Sequence, residues 1–214
     1  MDYHEHKKYF EMAYKTGADI WTHLPLKSRG AKLLEKLSPG ALILDIGSGR
    51  GLFSKQMAEA GFRVIGIDFE KEIVTKANTE IKNWKLEGKL KFMEADALDI
   101  PFADGSFDGA CDFGLMENLY SKDWGNYAEE IKRILKPGGF YLNVSLSRET
   151  QNFFEFSPKA SEDGEFQKYG VHYHFFKKEE MEEIFRNKLG LISQNIEFLE
   201  APRKIALLES LFQK

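Results

Sequence analysis

The sequence predicts a doubly wound α/β fold, in which helices cover both faces of a mostly parallel sheet. From residue 41 onward, short apolar runs alternate with helical patterns. A glycine-rich turn joins the first apolar run to the first of those helices. Three acids, Asp45, Asp68 and Asp96, fall at the carboxyl ends of the first three runs.

In chain order, residues 2–14 and 26–37 read as helices joined by a turn around 21–25, a helical cap over residues 1–38. Residues 41–46 read as a buried strand, 51–60 as a helix, 63–67 as a strand, 71–81 as a helix and 90–94 as a third strand. A fourth strand over 107–113 precedes an amphipathic helix over 124–135, which Lys136, Pro137, Gly138 and Gly139 terminate before a fifth strand at 140–146. Residues 147–176 are rich in aromatics, among them Phe153, Phe154 and Phe156, and lack clean periodicity. A stretch that long inside a domain is commonly functional, so 147–176 is the candidate lid over a substrate. A helix near 178–188 and apolar runs at 191–199 and 204–212, a terminal antiparallel hairpin, complete the chain.

At 214 residues, with 43% hydrophobic side chains, the chain has the size of a single domain spanning 1–214. No apolar stretch approaches the roughly 20 residues needed to cross a bilayer, and the polar N-terminus lacks a signal-like apolar core, so a cytoplasmic protein away from membranes is expected. The lone Cys111 forms no intramolecular disulfide or thiol pair and reads as a small core residue. With 34 acidic against 30 basic residues spread along the chain, no footprint for a nucleic acid is present.

The strongest local signal is LDIGSGRG at 44–51, a strand running into a turn whose glycines let the backbone approach a ligand closely. A dinucleotide fingerprint would be G-x-G-x-x-G, but its third position is Leu52 and the third glycine comes one residue early. Asp45 would repel a pyrophosphate there, yet can help hold the ammonium of a zwitterionic, sulfonium-bearing ligand. Asp68 closes the second strand, where a carboxylate can accept from both hydroxyls of a ribose. Asp96 ends the third, so the acids converge on the crevice where open α/β sheets bind ligands.

As a set, LDIGSGRG at 44–51, GID at 66–68, EADALDIPFADGSFDGA at 94–110 and LKPGG at 135–139 resemble the class I S-adenosylmethionine-dependent methyltransferases. Within that class the chain is similar to the small-molecule group that includes the ubiquinone and menaquinone biosynthesis enzymes. The resemblance spans about 41–146 and implies a seven-stranded Rossmann-like sheet whose last strand is antiparallel. It implies S-adenosyl-L-methionine as cofactor, S-adenosyl-L-homocysteine as product and a small-molecule methyl acceptor, with no metal. By resemblance, Asp45, Gly47, Ser48 and Gly49 hold the methionine part, Asp68 the ribose and Phe69 one face of the adenine. Asp96 takes the adenine amino group, the backbone of Ala97 a ring nitrogen, and Asp112, Phe113 and Gly114 lie beside the sulfonium.

Many of these relatives carry a histidine in the segment matching 116–119, where this chain has Glu117 and Asn118, so no catalytic base is assigned. The alternation at His172 and His174 places two imidazoles on one strand face, as base or metal ligands or as ordinary polar lid residues. His23 reads as a substrate contact or a surface turn residue, and Tyr14, Trp21 and Tyr120 as pocket lining or packing. Two further readings stay open, a catalytically silent cofactor-binding module and a macromolecule methyltransferase, and the oligomeric state is not assigned.

Overall fold

The computed structural model describes residues 3–19, 21, 30–150, 163–200 and 204–214. Its central strands are β1 (Leu42–Ile46), β2 (Arg63–Asp68), β3 (Leu90–Glu94), β4 (Phe107–Phe113), β5 (Leu135–Leu146), β8 (Gly190–Glu200) and β9 (Lys204–Gln213). They form one seven-stranded sheet in the order β3-β2-β1-β4-β5-β9-β8. β1 pairs in parallel with β2 and β4, and β9 runs antiparallel to both β5 and β8, so the reversed strand is the second of the terminal hairpin.

Side-chain alternation assigns the two faces of this sheet. Ile43, Cys111 and Leu142 pack with α2 (Ala31–Leu34), α3 (Leu52–Glu59) and α4 (Lys71–Trp84) through Leu33, Phe53, Met57, Ile73 and Val74. Leu44, Ala110 and Tyr141 face the other way, onto Tyr127 and Ile131 of α5 (Ser121–Ile134) and Met181 and Phe185 of α6 (Lys178–Phe185). Burial on both faces is why these strands read as continuous apolar runs.

Two elements differ from their sequence reading. α5 ends at Ile134 and the chain enters β5 at once, because a register shift between Phe107 and Gly109 absorbs residues 136–139 beside β4. Within 147–176, β6 (Glu165–Lys168) and β7 (Val171–His174) form a separate hairpin. Its two-residue turn holds Tyr169 and Gly170 at φ 55° and 80°, the geometry that matches strand twist. The rest of the candidate lid, 151–162 with Phe153, Phe154 and Phe156, lies outside the described residues, as do His23 and 26–29 of the expected second helix.

α1 (His4–Thr16) ends in Gly17 at φ 71° and lies across the carboxyl end of the sheet. Tyr3 clasps it there by donating to Asp123 Oδ2 at 2.8 Å while accepting from the Tyr120 amide at 3.0 Å. Past the other end of the helix, the Arg50 guanidinium donates to both oxygens of the buried Asp19 at 2.6 and 2.9 Å and to the Tyr14 carbonyl at 2.9 Å.

Candidate functional site

Between the strand ends and α1 lies a cavity of about 610 Å³, within the usual range of small-molecule sites. Its base is built by Ile46 and Gly47 at the end of β1, Asp68 and Phe69 at the end of β2, residues 94–98 at the end of β3, and 113–115 at the end of β4. Its roof is aromatic. Phe10 stands edge-on to Trp21 at 5.5 Å and to Phe69 at 6.1 Å, and Trp21 meets Tyr14 at 6.0 Å.

The glycine turn is stitched to the end of β2. The Gly47 and Ser48 amides both donate to the Ile67 carbonyl, at 2.8 and 2.9 Å, and the Gly49 amide donates to Asp68 Oδ2 at 2.9 Å. Gly47 needs its glycine twice, since φ is 74° and an added Cβ would sit 2.8 Å from Leu115 Cδ1. Asp68 Oδ1 takes the Glu70 amide at 3.0 Å, so two backbone donors fix the carboxylate and leave it further acceptor capacity on the cavity wall. Burial pushes this carboxyl up to about 6 despite those donors.

Gly47, Asp68, Phe69, Asp96, Ala97, Phe113 and Gly114 come together around the cavity. Asp45, Ser48, Gly49 and Asp112 do not line it. Strand alternation is the cause for the two acids. Asp45 shares the face of Ile43, where Ser54 of α3 donates to it and Cys111 Sγ lies 3.9 Å away; burial raises its carboxyl to about 7. Asp112 shares the face of Ala110 and is fully buried. It accepts from Tyr127 at 2.7 Å, from the Tyr141 hydroxyl, and from the Asn143 amide at 3.1 Å. Gly49 acts from behind, through its amide on Asp68.

The wall also holds groups that no spacing in the sequence singles out, among them Tyr3 just before α1, His6 and Lys7 of α1, Glu94, and Tyr173 of β7. Glu117 sits in a single 3-10 turn, Met116–Asn118, directly after β4. Its Oε2 accepts from the Leu146 amide at 2.6 Å, and burial, with Asp112 nearby, pushes its carboxyl up to about 8. Asn118 holds the same turn to β7, donating to the His172 carbonyl at 2.9 Å. Tyr14 and Trp21 line the cavity, whereas Tyr120 packs between Tyr3 and His172 behind it.

His172 and His174 are both buried on β7. The partner acid that the sequence did not reveal for His174 is Glu180, 2.8 Å from Nε2, and its ring lies against Trp124 and Phe176. Neither imidazole lines the cavity, and among the described residues no group of three or more metal-binding side chains occurs. No described helix is long and apolar enough to cross a membrane.

The sheet order with its one reversed strand, the glycine turn after β1 and the fixed carboxylate at the end of β2 give the chain the fold of solved S-adenosylmethionine-dependent methyltransferases. Residues 44–143 match the family model described as "Methyltransferase domain". A demethylmenaquinone methyltransferase of Desulfitobacterium hafniense (strain Y51) is 30% identical over 121 residues, 55% of this chain and 47% of that protein. The chain thus spans about half the length of this curated relative. A solved S-adenosylmethionine-dependent methyltransferase from Methanosarcina mazei superposes with a TM-score of 0.75 at 25% identity, over 86% of this chain and 96% of its own. The Burkholderia thailandensis 1,6-didemethyltoxoflavin-N1-methyltransferase shares the fold at a TM-score of 0.81 and 20% identity, over 98% of this chain and 87% of its own.

Proposed function

We propose that the chain binds S-adenosyl-L-methionine in this cavity, transfers its methyl group to a small-molecule acceptor and releases S-adenosyl-L-homocysteine. The observation that carries this reading is Asp68, a buried carboxylate on the cavity wall, fixed by the Gly49 and Glu70 amides and retaining acceptor capacity for a ribose diol.

The residues around it fit the rest of such a ligand. Phe69 offers a ring face to an adenine, Asp96 and the Ala97 backbone lie where its polar edge would reach, and the turn at Gly47 admits the amino-acid tail. Asp45, Ser48, Gly49 and Asp112 support the site from behind, holding the turn and the tip of β4. When bound, the cofactor supplies an electrophilic methyl group, so the protein's task is to align the acceptor and exclude water. Phe113 and Gly114 border the space where that transfer would occur.

The aromatic roof suits an apolar or aromatic acceptor. The cap over 1–38 and the segment 147–176 would close on it, α1 and β7 being the parts that already reach the cavity. The dispersed, slightly acidic charge gives no attraction to nucleic acid, and together with the single cysteine it suits work in the cytoplasm.

Calorimetric titration with S-adenosylmethionine and S-adenosylhomocysteine tests the assignment. Both should bind the wild type. Asp68→Ala, still melting cooperatively, should bind at least about 100-fold more weakly, because two charge-assisted hydrogen bonds are lost. A folded wild-type protein that binds neither would overturn the reading.

A further inference from the structure

We infer that Glu117 accepts the proton lost by the methyl acceptor, and that the acceptor is therefore a protic nucleophile, an N–H or O–H group on an aromatic or heteroaromatic small molecule. This rests on the function proposed above and assigns within it the base that the sequence left open.

The argument starts from the two oxygens of one carboxylate. Oε2 receives the Leu146 amide at 2.6 Å, which fixes the side chain without neutralising it. Oε1 makes no hydrogen bond with the described residues and lies 3.4 Å from where a Cβ on Gly114 would be. Gly114 borders the cavity at the tip of β4, so its missing side chain leaves that oxygen open to the space where the methyl group would be transferred.

The charges facing Glu117 favour proton uptake. Asp112 lies behind it on β4 and Tyr173 approaches from β7, while the ammonium on the cavity wall, Lys7, belongs to α1. Burial and Asp112 hold the carboxyl at about 8, within reach of neutral pH, where a base works best.

Other groups on the wall serve less well. His6 Nε2 already accepts from the His172 amide at 3.0 Å, so the neutral ring carries its proton on Nδ1 and has no free acceptor. Asp68 is committed to two amides and, in the proposed function, to the ribose. Asp96 is exposed and is tied to the Leu98 amide at 2.8 Å.

In the transfer, a lone pair on the acceptor nitrogen or oxygen forms the new bond to the methyl carbon as the carbon–sulfur bond breaks and its electrons remain on sulfur. The N–H or O–H proton passes to Glu117 Oε1 and from there to water. Charge and atoms balance without a further reactant.

A purely structural role, capping the Leu146 amide, would be met equally by glutamine. Glu117→Gln therefore separates the two. Its carbonyl can keep the Leu146 contact, which turns an NH₂ toward the cavity that repels a protic donor. Protein saturated with S-adenosylhomocysteine is titrated by NMR with matched pairs of phenols and N–H heteroaromatics and their O- or N-methylated counterparts.

For at least one pair, the protic member should bind wild type at least tenfold more tightly than its methylated counterpart. The preference should grow as the pH is raised from about 7 to about 9, as Glu117 ionises. In Glu117→Gln it should vanish or reverse, with S-adenosylhomocysteine affinity within threefold of wild type. No preference in any pair, or a preference that survives the substitution, overturns the inference while leaving the function standing. Failure of S-adenosylhomocysteine to bind overturns both.

Discussion

Gly51 lies directly against the ring of Phe92: a Cβ on residue 51 would sit 2.2 Å from Phe92 Cζ. The third glycine of the turn, one residue early for a dinucleotide fingerprint, therefore serves the packing of α3 onto β3 and does not line the cavity. It holds φ at 74° as the residue before the first turn of α3.

Gly51→Ala should accordingly destabilise the protein by about 2–4 kcal/mol, combining left-handed backbone strain with overlap in a packed core. Urea unfolding measures it. Phe92→Leu in the same background should recover the overlap part only, since the backbone strain remains. A Gly51→Ala variant within about 0.5 kcal/mol of wild type would contradict this account.

The sheet from β1 to β5 was legible because each buried strand is a short apolar run bounded by turn residues, and because LKPGG marks the end of α5. What spacing could not give is the side of the strand on which a residue falls. In strands apolar on both faces, Asp45, Asp68 and Asp112 look alike, yet only Asp68 reaches the cavity while the other two point to opposite layers. The contacts that hold α1 and the turn after β4 in place were hidden for another reason. Tyr3 meets Asp123 across 120 positions and Glu117 meets Leu146 across 29, contacts that carry no local pattern.

The Tyr3 clasp gives the second prediction. Its hydroxyl satisfies both the Asp123 carboxylate and the Tyr120 amide, so Tyr3→Phe leaves that amide without its partner, at about 1–3 kcal/mol. The cost should fall locally on α1. Amide hydrogen exchange in α1 should quicken at least tenfold, with β1 and β4 unchanged. Unaltered exchange in α1 would show that the helix is held down by its other contacts alone.

The third prediction concerns pH. Burial raises the carboxyls of Asp45 to about 7, Asp68 to about 6 and Glu117 to about 8, against about 4 in the unfolded chain. The folded state thus binds protons more tightly, and its stability is greatest below the unfolded value and falls as pH rises through the folded ones. His6 and His172 act oppositely, since burial lowers them and their contribution is lost as pH falls below about 6.5. The stability of the ligand-free protein should therefore still be falling between about pH 6.5 and 8, where the imidazoles no longer offset the carboxyls.

Asp45→Asn isolates one contributor, because an amide can still accept from Ser54 and does not ionise. It should raise stability at pH 8 by up to a few kcal/mol relative to wild type and flatten the pH dependence, with about half that gain at pH 5.5. Urea midpoints at the two pH values decide it. A wild-type midpoint that holds steady or climbs from pH 6.5 to 8 would mean that water or structural relaxation already relieves these buried carboxylates in the folded protein.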